Sequence, residues 1–139
     1  MTSSTAVALV GFISWTLFLL IVMEVMRTWL VLVKKFPANE FKTDNSNLGP
    51  FLQRLARAHA NCLEGLPIFG GLLITALITD QTSITDPLCY LFLVARIAQS
   101  LAHLASLNVM AVNVRFMFFS AQLVIGVYWA VKLILVLIQ

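Results

Sequence analysis

Hydrophobic residues fall along this chain in four long blocks, about Ala6–Val33, Arg57–Thr79, Pro87–Leu107 and Phe116–Ile138, with polar stretches between them. Each block is close to the roughly 20 residues that a helix needs to cross a hydrocarbon layer. Backbone polar groups in lipid must be satisfied inside their own segment, so the blocks predict helices. The expected fold class is an all-α integral membrane protein, a four-transmembrane-helix bundle forming a single domain over residues 1–139. Four spans leave almost no chain for anything else.

The polar positions mark where these helices should end. Pro37 and the run Asn45-Ser46-Asn47-Leu48-Gly49-Pro50 break the chain after the first block. Asp86-Pro87 reads as an N-cap followed by proline at the first helical position. Pro67 lies inside the second block, where it removes a backbone donor and predicts a kink. Gly70 and Gly71 follow it and offer small residues where a neighbouring helix can approach. The N-terminal Met1-Thr2-Ser3-Ser4-Thr5 carries no Lys or Arg, so the first block is expected to be a mature span, not a secretory signal.

Composition strengthens the membrane reading. The chain has 139 residues, 60% hydrophobic and 11% charged, with a mean hydropathy of +0.95, against roughly 25% charged residues in soluble domains. Lys34, Lys35, Lys42, Arg54 and Arg57 gather around the first connection, the second connection has no cation, and the third has Arg115. Lys and Arg collect on the cytoplasmic side, which places loops one and three there and both termini outside. Short loops and the lack of a targeting tail favour a bacterial inner membrane over the endoplasmic reticulum. The net charge of +3 has no basic aromatic surface to carry it, so nucleic acid is not an expected partner. Cys62 and Cys89 read as buried thiols, and two cysteines support neither a disulfide scaffold nor a metal site.

Candidate chemistry lies in the polar residues within the blocks. Arg54, Arg57, Asn61 and Glu64 are spaced three, four and three apart and share one helical face. Arg96, Ser100 and His103 do the same in the third block. A charge in a spanning segment costs about 2.5–3.5 kcal/mol on insertion scales, so such groups normally face a bundle interior or a wet cavity. Glu24 and Arg27 read most simply as a local ion pair, His59 as a packing or interfacial residue off the stripe, and Lys132 as a snorkelling cation. If the two polar faces meet near the cytoplasmic surface, they make a cationic pocket with a carboxylate, an amide and a hydroxyl. Arginine forks grip carboxylates, and Glu64 complements an amine, so a small peptide suits this inventory better than a metal ion.

The segment Arg54-x-x-Arg57-Ala58-His59-x-Asn61-x-x-Glu64-x-x-Pro67-x-Phe69 closely resembles the second-helix signature of the MAPEG family, the membrane-associated proteins in eicosanoid and glutathione metabolism. Ala95-Arg96-Ile97-Ala98-x-Ser100-Leu101-Ala102 and the Arg115 that opens the fourth block resemble the family's later helices. The resemblance covers nearly the whole chain. It implies a homotrimer of four-helix subunits with glutathione between neighbours near the cytoplasmic face. It further implies glutathione-binding roles for Arg54, Arg57, Asn61, Glu64, Arg96, Ser100 and His103, with Arg115 catalytic at the thiol. Ala60 stands where some members have a basic residue, His103 where several have tyrosine, and Phe116, Phe118 and Phe119 where a tyrosine lies near the thiol.

The function implied is a glutathione transferase or peroxidase whose thiolate attacks lipophilic electrophiles or hydroperoxides arriving from membrane lipid. Two other readings stay open: a non-catalytic lipid- or glutathione-binding protein of the same fold, and a small transport or proton-relay subunit, since intramembrane Glu, His and Arg also mark ion paths.

Overall fold

In the computed structural model, which describes residues 3–139, four helices follow in order: α1 Ser4–Leu32, α2 Pro50–Ile78, α3 Thr82–Ala105 and α4 Val109–Leu137. Each is long and apolar enough to cross a membrane. The helix α2 is α-helical over Pro50–Gly65, widens to a π-turn over Leu66–Gly70, and resumes as α-helix over Gly71–Ile78. The π-turn falls where Pro67, which has no N–H, denies Leu63 its usual helical donor.

All four helices begin earlier than their apolar blocks, α1 by two residues and the others by five to seven. Hydropathy marks the stretch in lipid, whereas caps mark the helix, and here the caps lie beyond the lipid stretch. Pro50 opens α2 after Gly49. At the start of α4, Asn108 Oδ1 accepts the Ala111 N–H at 2.8 Å. Asp86-Pro87 does not start α3, which begins at Thr82 after Gln81, with Pro87 inside the helix. The Asp86 carboxylate caps a different helix: its Oδ1 accepts from Thr5 N at 2.8 Å, Thr5 Oγ1 at 2.7 Å and Ser3 Oγ at 3.2 Å. An anion at the N-terminus of α1 also opposes that helix's dipole.

The central element is α3, which packs against α1, α2 and α4; α1 also lies against α2. The outer helix α4 runs along α3 and meets α2 in its Gly71–Ile78 segment. Phe12, Phe69, Phe92 and Trp129, one from each helix, form an aromatic centre with centroids 4.9–5.6 Å apart in successive contacts. A buried amide pair joins α3 to α4, Gln122 Nε2 donating to Gln99 Oε1 at 2.9 Å. Outward-facing Val10, Phe18, Trp29, Ile78 and Val124 are exposed, as lipid contact requires.

The long first connection is fastened to the bundle. Arg27 donates to Glu24 at 3.0 Å, and to the buried Asn45 Oδ1 from both Nε and Nη2. Asn45 in turn donates to the Leu52 carbonyl at 2.8 Å. The Glu24–Arg27 pair expected from spacing is present, and Arg27 also ties the loop to α1 and α2.

Candidate functional site

The arrangement that makes a site is the divergence of α2 and α4. Because α4 leans on α3 and touches α2 only toward its end, a cavity of about 480 Å³ opens between them. Asn61, Glu64 and Gly65 form one end of its wall, backed by Arg96 of α3. The rest is apolar, with Ile68, Phe69 and Leu72 on one side and Phe119, Leu123 and Val127 on the other. Polar groups confined to one end of an apolar trough suit an amphipathic occupant.

Arg96 is 1% exposed and lies deep in the bundle. Its Nη1 donates to Asn61 Oδ1 at 2.7 Å and to the Asn61 carbonyl at 3.3 Å. The guanidinium sits over the rings of Phe12 and Phe69, 5.2 and 5.6 Å from their centroids. Among the described residues its Nε and Nη2 have no hydrogen-bond partner, and the only salt bridge is Glu24–Arg27. A buried cation is thus held by two ring faces and one amide, without a carboxylate counterion.

Gly65 makes room for that cation. A Cβ there would lie 2.6 Å from Arg96 Nη2 and 3.2 Å from Cζ. Gly126 does the same for Phe69, whose Cε1 would be 2.7 Å from an added Cβ. The close-approach glycines are these two and Gly11, where Leu93 Cδ2 would lie 2.7 Å from an added Cβ. Nothing lies within 4 Å of a Cβ at Gly71, and at Gly70 the contacts are ordinary. Sequence reasoning missed Gly65, although its position one turn after Asn61 on the polar face was a usable signal.

The remaining polar residues divide into smaller groups. Arg54 Nε donates to the Leu104 carbonyl at 2.9 Å, placing a cation at the C-terminal turn of α3. Arg57 is exposed and lines a small recess with Pro50, Gln53, Arg54 and Leu107. Arg115 Nη1 lies 2.9 Å from His103 Nδ1. Arginine only donates, so Nδ1 accepts and a neutral ring carries its proton on Nε2. Arg115 is one helical turn before Phe119, which lines the cavity, and is not itself among the lining residues. Ser100 is buried, donating to the Arg96 carbonyl at 3.0 Å and lying 3.4 Å from Cys62 Sγ. Asn61, Glu64 and Arg96 thus come together, His103 pairs with Arg115, and Arg54, Arg57 and Ser100 make other contacts.

The family model described as MAPEG matches residues 4–135, nearly the whole chain. The chain belongs to the MAPEG family. No curated protein and no solved structure gives a significant match. Membership accords with the four apolar helices and supports a membrane function related to glutathione for this MAPEG chain. It leaves the specific activity to the chemistry of the site.

Proposed function

We propose that this protein is a glutathione-dependent membrane transferase or peroxidase acting on lipophilic electrophiles or hydroperoxides, assembled as a homotrimer. The observation that carries the reading is the two-part cavity, with Asn61 and Glu64 at its polar end and an apolar wall along α2 and α4. The donor set fits a small zwitterionic peptide. Asn61 offers an amide, Glu64 an exposed carboxylate for an ammonium group, and Arg57 an exposed guanidinium for a carboxylate one turn away.

When bound, glutathione supplies a thiol whose anion is the nucleophile. A free thiol titrates near about 8.5, and a cation close by favours the thiolate. Arg115 is assigned that task, and His103, by accepting from Nη1, fixes the direction in which the remaining guanidinium donors point. Attack on an electrophilic carbon forms a C–S bond and expels the leaving group or opens the ring. Reduction of a hydroperoxide to the alcohol oxidises two glutathione molecules to the disulfide. The apolar wall holds the lipophilic partner, which enters sideways from the bilayer. No protein nucleophile is needed, since positioning and anion stabilisation carry the rate.

One observation favours a second reading, a non-catalytic binder: Phe119 presents a ring and no hydroxyl to the cavity. The test is thermal stability of the detergent-purified protein across a glutathione titration, followed by turnover with electrophiles and hydroperoxides. At 100 times its dissociation constant, a ligand specific for the folded state adds about 2.7 kcal/mol. Saturable stabilisation with turnover supports the enzyme, and stabilisation without turnover supports the binder. No stabilisation at millimolar glutathione refutes the enzyme and the glutathione binder, and leaves a lipid binder of the same fold.

A further inference from the structure

Arg96 borders the cavity yet is 1% exposed, and Gly65 and the rings of Phe12 and Phe69 enclose its guanidinium. A ligand in the cavity therefore meets Asn61 and Glu64 before it could reach this arginine. What Arg96 does to Asn61 follows from donor and acceptor chemistry alone. A guanidinium has five N–H donors and no acceptor, while a primary amide has one accepting oxygen and one donating nitrogen. With Nη1 at 2.7 Å, the oxygen of Asn61 must face inward. Its NH2 group is then left for the cavity, and an amide flip would set donor against donor beside a buried charge.

We infer that Arg96 is a positioning residue that locks the Asn61 amide with its NH2 toward the cavity, and that it does not itself touch the ligand. This rests on the peptide-thiol reading of the same cavity. The polar end then presents a fixed donor at Asn61 and, three residues on, an acceptor at Glu64. Its complement is a ligand segment with a carboxylate or carbonyl oxygen beside an ammonium or N–H group. A ligand with two acceptors there would be rejected at Glu64. Gly65 belongs to the same device, because only a residue without Cβ leaves the guanidinium in reach of Asn61.

A double-mutant cycle on glutathione affinity, measured by calorimetry in detergent, separates positioning from contact. Asn61→Ala removes the donor and should raise Kd about fivefold to tenfold, the worth of one hydrogen bond. Arg96→Met should raise it less, and the double variant should bind as Asn61→Ala alone, because Arg96 acts only through Asn61. Additive losses would mean that Arg96 contacts the ligand, and would overturn the inference.

A second measurement needs no ligand. Asn61→Asp keeps an oxygen toward Arg96 and should melt at or above wild type, whereas Asn61→Ala should melt below it. Asn61→Asp should also lose glutathione binding. If it melts as low as Asn61→Ala, or binds like wild type, the fixed orientation is wrong. A wild type that binds no glutathione would refute the peptide-thiol reading, and the melting order would still decide the Arg96–Asn61 pairing.

Discussion

Replacing Gly65 by alanine adds one methyl group to a helix, which in an open position is favourable by about 1 kcal/mol. Here the methyl would sit 2.6 Å from Arg96 Nη2, 3.2 Å from Cζ and 3.5 Å from Nη1. The end of a long side chain normally yields cheaply, but this one is boxed in. Phe12 and Phe69 flank the guanidinium, Asn61 holds Nη1, and the whole residue is 1% exposed. Overpacking costs about 1–3 kcal/mol, and losing a hydrogen bond to a charged group costs about 1.5–3 kcal/mol. Against the helical gain, Gly65→Ala should therefore destabilise by about 1.5–5 kcal/mol. Gly71→Ala is the control, since nothing lies within 4 Å of its added Cβ, and it should be neutral or stabilising by up to about 1 kcal/mol. Both are read by denaturant unfolding in the same detergent. If Gly65→Ala unfolds with or after Gly71→Ala, the enclosure of Arg96 is refuted.

Gly126→Ala should cost about 1–3 kcal/mol by pushing its methyl into the Phe69 ring, 2.7 Å away; a melting midpoint equal to wild type would contradict that packing. Arg27→Ala strips the buried Asn45 Oδ1 of its donors and should cost about 1–3 kcal/mol. Limited proteolysis should then cut first between Lys34 and Asn47, and an unchanged cleavage pattern would show that the clasp does not hold the loop. Asp86→Asn removes the anion at the start of α1 and should cost up to about 2 kcal/mol, read as a lower melting midpoint. Arg115→Ala should cut the bound-thiolate absorbance at neutral pH roughly tenfold or more, as a cation depressing a thiol pKa by one to three units implies. Unchanged absorbance and turnover would remove Arg115 from the mechanism.

The number, order and membrane character of the helices were legible because apolar length is a property of composition, insensitive to partners. Helix starts were less so. Pro50 and Asn108 carried ordinary start signals but lay in polar chain outside the apolar blocks. Asp86-Pro87 carried the right signal for the wrong helix, since a carboxylate caps whichever N-terminus is nearest in space. The two polar faces contribute Asn61, Glu64 and Arg96 to the cavity wall. Their spacing did not reveal how their members divide, because Arg54 finds the end of α3 and Ser100 finds Cys62 only after the helices pack. The apolar half of the cavity was invisible beforehand, since Leu72, Leu123 and Val127 look like any lipid-facing residues until α2 and α4 diverge.

The π-turn at Leu66–Gly70 acts as a phase shifter within α2. It holds the equivalent of one extra residue, about 100° of rotation, between the Pro50–Gly65 segment and the Gly71–Ile78 segment. Buried Leu73 and Ala76 follow buried Leu55 and Ala58 by 18 residues, five whole turns of an unbroken helix, so the offset turns them away from that face, in the segment that also meets α4. Removing one residue from Leu66–Gly70 would let the helix close its ladder with Leu73 and Ala76 facing as before, whereas a deletion between Pro50 and Gly65 would turn what precedes it by about 100° against the rest. The same deletion in the Pro37–Asn47 loop changes no helical phase. Change in length is therefore expected to be tolerated very unevenly along this chain. A chain shortened by one residue within Leu66–Gly70 that no longer folded would show that the turn does not absorb an extra residue.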